Sequence, residues 1–133
     1  MSDSTPVTNL LSVLIVDDNP AVTQAMSVLV RNAGYETIGC QLGQDALDRT
    51  ADFTPAAAVI DVHLPDINGL ILAQKLRDRF GPTTPIIVVS GDTSMETLKS
   101  LPHVGATYFF SKPVNSGQLI ERLKDLIGKA NGD

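Results

Sequence analysis

Tryptophan is absent from this chain of 133 residues, cysteine occurs once, and ten bases stand against fifteen acids. A single thiol, Cys40, excludes an intramolecular disulfide and suits a reducing compartment. The charge deficit, −5 with a pI near 4.8, argues against non-specific binding to nucleic acid or to an anionic membrane surface, although it leaves room for a local basic site. No apolar run approaches the roughly 18 residues a membrane span needs. The opening Met1–Asn9 (MSDSTPVTN) has neither a basic residue nor an apolar core of signal type, so the expected location is the cytoplasm. Repeats and low-complexity stretches are also missing. What remains is an ordinary globular composition, 43% apolar and 19% charged, at a length typical of one domain. The expected limits are a disordered lead over 1–10, one domain over 11–128 and a frayed tail over 129–133.

Short aliphatic runs alternate with helically spaced ones. Leu11–Val16 reads as a strand, and Asn19-Pro20 as the cap and first residue of a helix. Val22, Ala25, Met26, Leu29 and Ala33 form that helix's inward stripe, and Gly34 ends it. A weaker strand, Tyr35–Cys40, precedes a short helix over Gln44–Ala51. Ala56–Ile60 is a strand ending at Asp61, followed by a helix over Leu70–Phe80 that turns Leu72, Ala73 and Leu76 inward. Pro85–Val89 has the continuous apolar run of a strand covered on both faces. Met95, Leu98 and Leu101 mark a short fourth helix stopped by Pro102. Ala106–Phe110 is the last strand, and Leu119, Ile120, Leu123 and Ile127 stripe the last helix. Alternation of this kind predicts a parallel sheet with helices on both faces, in which ligands sit beyond the carboxyl ends of the strands.

Those ends carry Asp17-Asp18, Asp61, Ser90 and Ser111-Lys112-Pro113, whereas the second strand ends without an ionisable group. The chemistry-bearing strands should therefore be neighbours with the second at an edge, which favours the order 2-1-3-4-5. Three carboxylates at one sheet edge repel one another, and Lys112 offsets only one charge. A hard dication such as Mg²⁺ would relieve the rest. A hydroxyl and an ammonium beside that ion are the groups that cradle a transferring phosphoryl group, and a free carboxylate there is a candidate nucleophile.

In LIVDDNP, VIDVHLPDINGL, VVSGD and GATYFFSKPV the chain resembles the response-regulator receiver domains of two-component signalling, the family of the chemotaxis regulator. Each piece is weak alone, but four in the right order at the right strand ends are specific. The resemblance covers Leu11 to Gly128 and implies a flavodoxin-like, doubly wound fold. It implies that Asp61 accepts phosphoryl from a sensor histidine kinase or phosphotransfer protein. Asp18 matches the direct Mg²⁺ ligand, Asp17 a ligand acting through water on the ion, and the backbone carbonyl of His63 a further ligand. Ser90 matches the hydroxyl that closes on the phosphoryl oxygen, Lys112 the ammonium that pairs with it, and Phe109 the aromatic switch position. The Lys112–Pro113 bond matches a cis-proline turn.

Three positions depart from the common pattern. Gly91 stands where alanine is usual and should loosen its loop, Phe109 lacks the phenol of some members, and Leu101–Val104 interrupts the end of the fourth helix. Ser90 could instead simply bond local backbone, and Phe109 could be a permanent core residue. Phe110 should face the opposite side of the sheet. The expected activity is self-phosphorylation and self-dephosphorylation without metabolite turnover, with output through the face of the fourth helix, fifth strand and fifth helix. That face would meet a downstream protein or output domain, or form a phosphorylation-dependent dimer; nucleic acid and membrane are not expected partners. The rival reading is a Mg²⁺-dependent phosphohydrolase with an aspartyl nucleophile. Such an enzyme wants a carboxylate two residues after the nucleophile, where His63 stands. An FMN binder is also disfavoured, because Asp17-Asp18 would repel its phosphate.

Overall fold

The computed structural model describes residues 11–131, so the expectation of a disordered lead over 1–10 lies outside the described residues. Five strands and five helices alternate: β1 (Ser12–Val16), α1 (Pro20–Asn32), β2 (Glu36–Cys40), α2 (Gly43–Arg49), β3 (Ala57–Asp61), α3 (Gly69–Phe80), β4 (Ile86–Ser90), α4 (Met95–Ser100), β5 (Tyr108–Ser111) and α5 (Ser116–Ala130). All strand pairs are parallel and the order is β2-β1-β3-β4-β5. The register sets Asp61 beside Val89 and Ser90 beside Ser111, which brings the chemistry-bearing strand ends to one level.

Alternate residues of each strand feed two separate cores, as the period of two requires. Leu14, Val16, Ala58, Ile60, Ile86 and Val88 pack against Ala46 of α2 and Leu72, Ala73 and Leu76 of α3. Val13, Ile15, Ala57, Val59, Ile87 and Val89 pack against Val30 of α1 and Leu119, Leu123 and Ile127 of α5. Each fully buried leucine contributes about 1.5–3 kcal/mol, which makes these two layers the main stabilising term. Among the described residues no helix is long and apolar enough to cross a membrane.

Helix α1 corrects the sequence reading. Its cap is as expected, with the Asn19 side chain accepting from Ala21 N at 2.9 Å, Pro20 at the first helical position and Gly34 at φ 103° just past the end. The inward face, however, is Thr23, Ser27 and Val30, with Met26 half-buried, while Val22 and Leu29 are each 37% exposed. The helix is turned by one residue, about 100°. Gly39 of β2 explains this, because a Cβ there would lie 2.8 Å from Thr23 Cγ2, so the bare backbone lets small polar side chains approach. The buried Thr23 hydroxyl donates to the carbonyls of Asp17 and Asn19, both at 3.1 Å, so it is not stranded.

Two smaller differences concern ends. Lys129 and Ala130 lie in α5, with Asn131 as its C-cap, and residues 132–133 of the expected frayed tail lie outside the described residues. β5 begins two residues later than the apolar pattern suggests, because Thr107 Oγ1 accepts from Ile86 N at 3.0 Å and Gly105 takes φ 78°. The Arg77 guanidinium of α3 spans this junction. It donates to the Gly105 carbonyl from Nε (3.0 Å) and Nη2 (2.7 Å), to Gly81 O at 2.8 Å and to Thr107 Oγ1 at 3.2 Å.

Candidate functional site

Asp17 follows β1, and Asp61 ends β3. Both carboxylates lie on the α1/α5 side of the sheet and are nearly buried, at 6% and 3% exposure. Asp18, next in the chain, is exposed. Carboxylate oxygens of Asp17, Asp18 and Asp61 all fall within 4.8 Å of one another. Lys112 reaches in from just past β5, with Nζ 3.0 Å from Asp61 Oδ2 and 3.4 Å from Asp17 Oδ2. The Lys112–Pro113 bond is cis.

The electrostatics are unbalanced. Asp17 Oδ1 accepts from Asn19 N at 3.0 Å, and Lys112 is near, yet burial outweighs both and holds the Asp17 pKa above the ordinary carboxylate value. Asp17, Asp61 and Lys112 also line a largely apolar cavity of about 540 Å³, whose wall includes Val22, Met26, Val59, Val89, Pro113 and Val114. Burial also works against the Lys112 ammonium, but its bond to Asp61 and the charges of Asp17 and Asp61 outweigh that and leave its pKa raised. Asp17 and Asp61 share the one ammonium and Asp18 adds a third carboxylate beside them, an arrangement that a hard divalent cation would complete.

Ser90 is fully buried, and its Oγ accepts from Asp92 N at 2.9 Å, the local-backbone alternative raised by the sequence. Asp92 in turn ties that loop to α4. Its Oδ1 accepts from Ser94 N (2.9 Å) and its Oδ2 from Thr97 Oγ1 (2.8 Å), bonds that hold its carboxyl below the usual range, backbone bond first. Phe109 is half-buried against the core between the sheet and α2–α3, and Phe110 packs on the opposite core, as alternation predicts. His63 is exposed. Its amide donates to Asp61 Oδ1 at 3.3 Å, and it bridges Asn68 across the loop that joins β3 to α3.

That loop holds what sequence reasoning missed. Gly69 donates to Val62 O at 2.7 Å, Asn68 caps α3 through Leu70 N at 2.8 Å, and Asp66 bonds Gly43 N and Gln44 N of α2. The signal for Asp66 was Leu42, a helix N-cap with no side-chain acceptor.

A parallel sheet in this order with acidic groups, a hydroxyl and a lysine at its carboxyl edge is the arrangement of a module that handles phosphoryl groups. Residues 13–124 match the response regulator receiver domain. The chain is 30% identical over 120 residues to the polar-differentiation response regulator DivK of Brucella ovis, covering 90% of this chain and 98% of that protein. It is 29% identical over 119 residues, 87% of its length, to the sensory/regulatory protein RpfC of Xanthomonas campestris, of which it spans only 16%. Its fold superposes with TM-score 0.87 and 28% identity on a CheY-like response regulator receiver domain protein from Methanospirillum hungatei, covering 92% of this chain and 98% of that one. The chain belongs to the response regulator receiver domain family, and its acidic pocket is of the kind that accepts phosphoryl groups with Mg²⁺ in that family.

Proposed function

We propose that this domain accepts a phosphoryl group on Asp61 and relays the event to its α4–β5–α5 face. The observation that carries the assignment is a nearly buried Asp61 carboxylate within 4.8 Å of Asp17 and Asp18 oxygens and 3.0 Å from Lys112 Nζ. Asp18, Asp17 and Asp61 offer the hard oxygen donors that suit Mg²⁺, with the His63 carbonyl as a further ligand. Bound there, Mg²⁺ supplies charge neutralisation for the phosphoryl oxygens. An Asp61 oxygen attacks phosphorus as the donor's P–N bond, in a phosphohistidine, or P–O bond, in an acyl phosphate, breaks. The leaving group keeps the electron pair, and the product is an aspartyl phosphate. Lys112 pairs with the phosphoryl oxygens. Hydrolysis by water restores Asp61, with the side chains of His63 and Asp92 tuning water's approach.

The donor is a sensor histidine kinase or a phosphotransfer protein, and the setting is the cytoplasm, where a buried single thiol stays reduced. The Ser90 hydroxyl turns to donate to a phosphoryl oxygen and gives up the bond its Oγ accepts from Asp92 N, and Phe109 moves into the space released, which biases α4 and β5 between two arrangements. Met95, 64% exposed, and Tyr108, 37% exposed, stand on the face that changes and serve a partner, an output domain or a second copy.

Incubation with a small acyl phosphate and Mg²⁺ is expected to add one phosphoryl group, read by intact mass, and none to Asp61→Asn. Acid-labile phosphate mapped to another residue would overturn the assignment. With beryllofluoride, amide shifts should extend from Ser94 to Phe110. Shifts confined to the Asp61 pocket would refute the relay alone.

A further inference from the structure

The β3–α3 loop is built as a closed span. At its stems, Gly69 lies so close to the Asp61 carbonyl that no side chain fits, Gly69 N bonds Val62 O, and His63 faces Asn68. At its tip stands Asp66, which serves a helix of another part of the chain. Helix α2 is preceded at its N-cap by Leu42, which offers no capping side chain, so its first amides would be unsatisfied. Asp66 takes both, Oδ1 from Gly43 N and Oδ2 from Gln44 N, each at 2.9 Å. Those two bonds, Gln44 first, hold its carboxyl below the usual range although the group is exposed. Beside them Ile67 abuts Gly43, where any Cβ would overlap Ile67 Cγ2. Two oxygens on two successive amides fix orientation as well as distance, and they do so across 22 to 23 residues of chain.

We propose that Asp66, bridging the β3–α3 loop to the start of α2, is a positioning residue for the cation site: it holds at its working height the loop from which the His63 carbonyl is presented. This rests on the reading of the acidic cluster and His63 as Mg²⁺ ligands. Stem and tip are anchored independently, at Asp61 and at α2, and His63 lies between them. Cutting the tip leaves the loop hinged only at the end that carries the acceptor. Asp66 touches neither the acceptor nor Lys112, so its effect acts through the loop. Outer supports of metal ligands typically alter affinity ten- to a hundredfold, and one acting through a loop is expected at the lower end, about tenfold.

The test titrates Mg²⁺ into the whole chain by amide chemical shift for wild type, Asp66→Ala, Asp66→Asn and Gly43→Ala, in low and high KCl. Amide exchange of residues 43 and 44 is recorded without metal. Asp66→Ala is expected to weaken Mg²⁺ about tenfold at both salt concentrations and to speed exchange at both amides. Asp66→Asn removes the charge but keeps an acceptor oxygen, so it should recover much of the affinity and covers the case in which the alanine variant does not fold. Gly43→Ala keeps the charge, displaces Ile67 and should also weaken Mg²⁺. Fast exchange with wild-type Mg²⁺ affinity would reduce Asp66 to a helix cap and overturn the proposal. A loss that vanishes in high salt would overturn it too, because screening removes a bare charge effect but not a loop displacement. If wild type binds no Mg²⁺, the metal reading itself falls, and the role of Asp66 with it.

Discussion

Replacing glycine by alanine at three positions should give three different answers, although helix propensity alone treats two of them alike. Gly69 opens α3 and Gly43 opens α2, so alanine could gain up to about 1 kcal/mol at each. At Gly69 an added methyl would overlap the Asp61 carbonyl oxygen and lie 2.6 Å from Val62 Cα, well inside the 3.4 Å at which ordinary contact begins. Both obstacles are main chain, held by the Gly69 N to Val62 O bond and by the sheet, so neither can turn aside. Overpacking of this kind costs about 1–3 kcal/mol, and immovable neighbours put it at the upper end, leaving a net loss of about 2 kcal/mol. For a domain of this size that is a fall in Tm of about 8 °C. At Gly43 the obstacle is the Ile67 Cγ2 methyl, a side-chain atom rather than main chain, so the loss should be smaller than at Gly69. Gly91 meets nothing within 4 Å, and alanine there should stabilise by about 0.4–1 kcal/mol through the unfolded chain. Urea unfolding followed by far-UV circular dichroism ranks the three. If Gly69→Ala matched or exceeded wild type, the claim that backbone contact defines the start of α3 would be wrong.

If Asp18 is the direct Mg²⁺ ligand and Asp17 acts through water, as proposed, Asp18→Ala should weaken Mg²⁺ binding more than Asp17→Ala, and EDTA should abolish phosphorylation; undiminished labelling in EDTA would assign the acidic cluster another purpose. The Asp92 carboxyl is held below its unfolded value, so the stability it lends is present at neutral pH and lost as pH falls through the folded value. Asp92→Asn should thus be less stable than wild type at pH 7, with the difference shrinking below about pH 4. A constant difference across that window would show that the charge contributes nothing to the bonds from Ser94 and Thr97.

Strand order and the meeting of Asp17, Asp18, Asp61 and Lys112 were legible because each depends on what a strand carries at its end, and the register then fixes the rest. The two cores were legible where side chains are aliphatic, as in β4 and α5. Helix α1 was not, because periodicity assumes that apolar residues face inward. Here the inward positions go to Thr23 and Ser27, and the cause, Gly39, lies on another element. Asp66 and Arg77 were missed for a related reason, since their partners are backbone amides and carbonyls that no side-chain pattern marks. Ser90 was placed correctly at its strand end, but its bond to Asp92 N depends on a loop path that composition does not encode.

The Arg77 fork has a mechanical consequence. Residues 91–104, which include α4, run between two anchors of unequal strength. At the far end a guanidinium grips Gly105 twice and Thr107 once, and any side chain at residue 105 would collide with Arg77 Cγ. At the near end the Ser90 hydroxyl is held by one neutral bond from Asp92 N. The segment is a lever pinned at its distal end and latched at its proximal one. On the proposed relay, a pull on Ser90 would lift the latch while Gly105 stays held, so displacement should be greatest near Ser94 and fade toward Gly105. Strengthening the latch or loosening the pin would then alter the output in opposite senses without touching the acceptor, and the direction of travel would reside in that asymmetry rather than in α4 itself.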